Sequence, residues 1–244
     1  MLSYRLSQSH TKRHEAHGIK FGSLGPVDTI RRCGKSGLFV GCRAIAIGDE
    51  LQLTSAELLS LGNSSLKARR ASGAARIVAR GLLAQMGAHC SELPRSASGA
   101  AQWPKGYIGS LAHDQGFAVA ATARCDVAAA IGIDVEPAIA LPDDAYDLVA
   151  TASEQKQLGG DLLSARFLFC IKEAVYKATS HLDGKFLEPH DVEVCMATLV
   201  ATTTTGRKLH VHASRYPRLL ALAVLFFAEG NRTNPSLMDC KTPP

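Results

Sequence analysis

The chain has 244 residues, 46% apolar and 20% charged, which excludes a disordered polyelectrolyte and leaves one large or two modest globular domains. Its 27 Lys and Arg against 22 Asp and Glu leave a net charge of +5, enough to favour a phosphate-bearing ligand or an acidic partner. No basic run is interleaved with aromatics, which argues against nucleic acid.

Residues 1–35 read as a loosely structured basic leader, rich in Ser, His, Lys and Arg. Two apparent motifs lie in it. "CGKSG" offers a Gly-Lys-Ser, but the first glycine of a phosphate loop would fall on Thr29. "HEAH" (14–17) lacks the two-residue gap of the zinc-protease pattern. Both read as coincidence. No continuous apolar stretch marks a secretory signal.

"LFVGCRAIAI" (38–47) predicts a strand. Thr54 with Glu57 three residues on is a capping-box signature for a short helix. A long helix follows over about 64–86, with Gly87 placed as a C-terminal cap. "YIGSLAH" and "GFAVAATA" predict two strands around a turn, and "AAAIGIDVE" a third. Thr151 and Glu154 start another helix, and 161–180 is strongly helical. "DVEVCMA", "KLHVHA" and "LLALAVLFFA" close the fold as strands, and 230–244 reads as a flexible tail.

This mixture predicts an α+β fold. It reads as two pseudo-symmetric halves, 36–125 and 126–229, each a small antiparallel sheet packed with a long helix, with the active site between them. The longest apolar run, 219–228, is about half of a bilayer span, so no membrane association is expected. The seven cysteines form no C-x-x-C pair and suggest free thiols in a reducing, cytoplasmic setting.

The chemistry concentrates in "IGIDVEP" (131–137). Asp134 and Glu136 alternate with apolar residues, so in a strand they share one face about 6–7 Å apart. In water their repulsion is of order half a kcal/mol, and several-fold more near protein. A wet edge strand with basic neighbours would account for such a pair. A divalent cation would too, since hard carboxylate oxygens suit Mg²⁺. The helix "FCIKEAVYKA" (169–178) adds Glu173, with Lys177 one turn on. Lys172, Glu173 and Lys177 could also be a solvated face. Three acids and a lysine together, however, are the parts of a pyrophosphate site.

"GIDVE" followed by "KEAVYK" resembles the signature pair of the 4′-phosphopantetheinyl transferases, nearest the enterobactin-synthase component D, surfactin-type branch. "RRASGAARIVARGLLAQMG" (69–87), "WPKGYIGSLAH" (103–113) and "GKFLEPHDVEV" (184–194) are similar to further family blocks in the same order. The resemblance implies Mg²⁺-dependent transfer of 4′-phosphopantetheine from coenzyme A to a serine of an acyl or peptidyl carrier protein, releasing 3′,5′-ADP.

It further implies Asp134, Glu136 and Glu173 as metal ligands, Glu173 as general base, and Lys177 on the pyrophosphate. His113 would contact the 3′-phosphate, and Arg69 and Arg76 the nucleotide phosphates. Arg95, Ser96, Ala97 and Ser98 would border the adenine, Ala112 would flank His113, and Leu187 would pack on the cofactor. Three departures stand out. Ala112 lacks the family's hydroxyl, Asp114 stands where Cys or Ser is usual, and the arginine helix leaves Arg69 against Arg70 open. A monomer acting on an acidic carrier is expected. The alternatives are a non-catalytic module binding coenzyme A or carriers, and a Mg²⁺-dependent pyrophosphate hydrolase.

Overall fold

The computed structural model describes residues 29–33 and 37–227. The expected leader up to residue 28, with "HEAH", the central "GKS" of 34–36, and the expected tail fall outside the described residues. Residues 29–33, read as part of that leader, instead form a strand. Its partner is the strand that follows, so the first sheet begins earlier than the hydropathy pattern indicated.

The strands are β1 (Thr29–Cys33), β2 (Leu38–Ala44), β3 (Tyr107–His113), β4 (Phe117–Arg124), β5 (Ala130–Glu136), β6 (Val192–Cys195), β7 (Val200–Thr203), β8 (Lys208–Ser214) and β9 (Leu219–Leu225). The α-helices are α1 (Ser55–Leu61), α2 (Leu66–Gln85), α3 (Tyr146–Val149), α4 (Ala152–Leu158) and α5 (Leu162–Asp183). Two antiparallel sheets result, ordered β1-β2-β4-β3 and β5-β9-β8-β7-β6. The α+β prediction with one long helix per half holds. Strand β7, only four residues of "VATT", was too short to read as a period-2 pattern.

Both predicted capping boxes form: Thr54 accepts from Glu57 N at 3.2 Å and Thr151 from Glu154 N at 3.3 Å. Gly87, just past α2, adopts φ +78°, a conformation that glycine reaches without a Cβ penalty.

The core is layered by strand alternation. On β4, Ala118 and Ala120 face α2, while Val119, Ala121 and Ala123 face the second sheet. On β9, Leu220, Leu222 and Val224 meet the first sheet, while Leu219, Ala221 and Ala223 meet the α5 side. The order through the molecule is therefore α2, first sheet, second sheet, α5. At about 0.8 kcal/mol per buried CH₂, the interface between the sheets is the main cohesion of the two halves.

β5 occupies the key position. Ile131, Ile133 and Val135 face the first sheet. The even positions turn toward α5. Gly132 allows that helix to come close, because a Cβ there would sit 2.0 Å from Ala174 O and 2.6 Å from Ala178 N. Ile133 N donates to Ser110 Oγ at 3.0 Å, which joins β5 to β3 across the halves. Among the described residues no helix is long and apolar enough to cross a membrane.

Candidate active site

Because side chains alternate along β5, placing Gly132 against α5 commits Asp134 and Glu136 to the same face. The helix answers with a matching stripe. Arg166, Cys170, Glu173 and Lys177 follow at intervals of four, three and four, one side of an α-helix.

Lys177 Nζ donates to Asp134 Oδ1 at 2.5 Å, and Arg166 Nη1 donates to Glu136 Oε2 at 3.2 Å. Asp134 is buried, and its second oxygen, Oδ2, has no hydrogen-bond partner. Glu173 is half-buried and without a hydrogen-bond or ion-pair partner among the described residues. Burial raises the pKa of Asp134, with Lys177 opposing the shift. Burial and the charge of Asp134 also raise Glu136 and Glu173. Glu173 lies one helical turn before Lys177, on the side of α5 that meets Asp134. The Cys170 thiol beneath is raised well above its ordinary value by burial and then by these acids.

Among the described residues no three His, Cys, Asp or Glu side chains are drawn together closely enough to enclose an ion. The donor set nevertheless fits a hard divalent cation: a buried orphan oxygen on Asp134, an unpaired Glu173, and Glu136 held by a displaceable arginine. In this arrangement Lys177 and Arg166 supply the counter-charge.

His113 ends β3 and is exposed as a residue, its imidazole partly desolvated by the protein around it. The protein around it, then Lys177 and Arg95, hold its pKa below the ordinary value. The charges of the second half's Lys177 and of Arg95 in the 95–101 loop thus both reach His113. In that loop Ser96 N donates to Ala100 O at 2.8 Å, and the Ser96 and Ser98 hydroxyls lie 2.8 Å apart. Arg95 and Ala97 are exposed there.

Other expected residues sit elsewhere. Arg76 is buried, donates through Nε to Leu93 O at 2.9 Å and through Nη1 to Ser72, and lies 3.5 Å from Glu57. Only its Nη2 lacks a partner, and burial lowers its pKa to about 10. Arg69 is held loosely by Gly62 O and Ser64 Oγ at 3.3 and 3.4 Å, whereas Arg70 grips Glu50 at 2.8 and 2.9 Å. Of the two, Arg69 is freer to turn. Ala112 faces the core between the sheets and Leu187 packs in the core under α5. A hydroxyl at 112 would be buried in apolar surroundings. Asp114 closes its own turn, its carboxylate accepting from Gly116 N and Phe117 N.

Lys172, grouped by sequence with a possibly solvated face, is buried. It donates to Glu154 Oε2 at 2.6 Å and to Val149 O and Pro189 O, both at 2.8 Å. Arg166 escaped the sequence reading, although its offset of two turns from Glu173 was a usable signal.

Two family models match in succession. The 4′-phosphopantetheinyl transferase N-terminal domain covers residues 56–123, and the 4′-phosphopantetheinyl transferase superfamily covers residues 130–224. The chain belongs to the 4′-phosphopantetheinyl transferase superfamily. It is 38% identical over 135 residues to the 4′-phosphopantetheinyl transferase Svp of Streptomyces mobaraensis, covering 53% of this chain and 55% of the relative. Npt of Nocardia iowensis is 37% identical over 142 residues (57% and 64%), and PptT of Mycobacterium tuberculosis 34% over 136 residues (54% and 60%). Both are also 4′-phosphopantetheinyl transferases. The similarity thus spans about three-fifths of these relatives' length. The boundary between the two matches, 123 to 130, coincides with the β4–β5 connection, where one half passes into the other.

Proposed function

We propose that this chain transfers 4′-phosphopantetheine from coenzyme A to a serine hydroxyl of an acyl or peptidyl carrier protein, releasing 3′,5′-ADP. The observation that carries this reading is the facing of β5 and α5. It supports the reading by putting Asp134 and Glu136 on the strand face that meets the Glu173 and Lys177 side of the helix, with an unpaired carboxylate and an orphan oxygen.

Asp134, Glu136 and Glu173 are the residues to hold Mg²⁺. The ion, when bound, neutralises charge on a pyrophosphate and polarises the phosphoryl group. Lys177 steadies the leaving phosphate oxygens with its ammonium. Glu173, whose pKa is raised by burial and by the charge of Asp134, accepts the proton of the carrier serine, directly or through a water. His113, with Arg95 nearby, receives the 3′-phosphate. The 95–98 loop borders the adenine, with Ser96 and Ser98 as donors.

Support for the surfactin-type branch comes from two linked halves within one chain, which also suits action as a monomer. An acidic carrier is favoured by the net charge of +5, and the free cysteines among the described residues suit a reducing cytoplasm. Because Arg70 and Arg80 are already paired with Glu50 and Glu57, the exposed Lys67 and the partly exposed Arg69 are the candidates on α2 to meet that carrier.

Intact-mass measurement of apo carriers, incubated with enzyme, coenzyme A and Mg²⁺, tests the reading. The expected result is a mass gain of one phosphopantetheine. Binding of coenzyme A without any gain would select the non-catalytic module, and cleavage of coenzyme A without a carrier the hydrolase.

A further inference from the structure

Asp114 departs from the residue usual at its position, and the contacts it makes cross the seam between the halves. It follows His113 at the end of β3, in the first half. Its Oδ1 accepts from Gly116 N and Phe117 N, both at 2.7 Å, which closes the β3–β4 turn. Its Oδ2 lies 3.1 Å from Arg218 Nη1, within ion-pair reach though not aligned as a hydrogen bond. Arg218 belongs to the second half. It precedes Leu219, whose register partner on β5 is Glu136.

Arg218 is boxed in on three sides. Its guanidinium stands 5.0 Å above the Phe117 ring. A Cβ on Gly116 would come within 3.2 Å of its Nη2. The side chain of Asp114 is 3% exposed, so the carboxylate is largely withdrawn from water with Arg218 as its ion-pair partner among the described residues. The pair thus ties the residue after His113 to the residue before the partner of Glu136.

We infer that Asp114 and Arg218 form a latch across the mouth of the site, setting the distance between His113 on one half and the acid-bearing β5 on the other. Both are positioning residues. The sheets already cohere through a broad apolar interface, so one partly exposed ion pair adds little to global stability. Its effect falls on local geometry, where a ligand must reach His113 and Lys177 together. The inference rests on the proposed coenzyme A site and deepens it by naming what fixes its span.

The test is coenzyme A affinity by calorimetry, alongside transfer kinetics. Asp114→Asn keeps a side-chain oxygen for Gly116 N and Phe117 N but loses the charge. It should weaken coenzyme A about five- to tenfold, raise KM for coenzyme A in step, leave kcat within about twofold and barely move the melting temperature. Arg218→Met should weaken coenzyme A to the same extent but also lower the melting temperature, because it leaves the buried Asp114 carboxylate without its cation, and Arg218→Lys should restore most of both losses. Asp114→Asn with Arg218→Met should be no worse than the weaker single variant. Wild-type affinity in Asp114→Asn, or losses that multiply in the double variant, would overturn the latch. A wild type that binds coenzyme A without transferring it would sink the transferase reading alone, the latch then being judged on affinity. A wild type that binds no coenzyme A would overturn both.

Discussion

The two long helices carry similar charges toward opposite ends. On α2 most of the inward cations are absorbed: Arg70 pairs with Glu50, Arg80 with the fully buried Glu57, and Arg76 is engaged by Leu93 O and Ser72 with only its Nη2 left over. Glu57 also accepts from Leu93 N at 2.8 Å, so this network pins the 90s loop to the first half. On α5 the accounts do not close. Asp134 has a buried orphan oxygen, Glu173 has no partner, and Arg166 Nε is buried and unsatisfied. The acids report the same contrast. Arg70 holds Glu50 down to about 2, while burial pushes Asp134, Glu136 and Glu173 up. Satisfied charges build a half; unsatisfied ones mark where a ligand belongs.

The contrast breaks most decisively at Glu173. Glu173→Gln should lower carrier modification about a thousandfold while leaving the melting temperature unchanged or slightly higher, since a desolvated acid without a partner is removed. Intact-mass rates and calorimetric melting measure the two. A variant that kept near-normal turnover would show that the unpaired acid is not the working one.

Lys172, next to it in sequence, should behave in the reverse way. Lys172→Met leaves Glu154 charged and buried, at a cost of about 3–5 kcal/mol in urea unfolding. Replacing Arg80 by Gln on α2 should cost about 1.5–3 kcal/mol, because Glu57 retains Thr54 N and Leu93 N. Transfer per folded molecule should stay near normal. Loss of turnover without loss of stability would move α2 from scaffold to site. Gly132→Ala, which forces a Cβ against Ala174 O, should cost about 1–3 kcal/mol and lower turnover as well, since the acids ride on that contact.

The smallest effect expected is in pH. The raised acids are easier to protonate in the folded state than in the unfolded chain. Their charge therefore weakens the metal-free protein at high pH, and the penalty lifts as pH falls through their raised pKa values. Glu50 has the opposite sign: its contribution is present above the ordinary carboxylate range and is lost only toward pH 2. Melting of the metal-free protein should thus rise slightly as pH is lowered from neutral toward the raised values of these acids, and added Mg²⁺ should reverse that trend. A flat profile in Glu173→Gln would assign the effect.

Strand and helix types were legible along the chain wherever a period ran long enough. The capping boxes at Thr54 and Thr151 and the apolar stripes of α2 and α5 are local facts. So is the shared face of Asp134 and Glu136, because alternation along a strand needs no partner. The β7 strand and the early start at β1 were hidden: four or five residues carry too little pattern, and only pairing with a neighbour makes them strands.

The sequence by itself determined which groups of the site exist and which of them lie on one face, through the periods 2 and 3.6. Tertiary structure alone decided which charges are already answered. Lys172 and Lys177 are five residues apart on one helix, yet one is sealed against Glu154 and the other lies on Asp134. Asp114 looks adverse beside a phosphate until Arg218, over a hundred residues away, turns it aside. Partners across the fold are a matter of packing, and packing is set by contacts that no local spacing encodes.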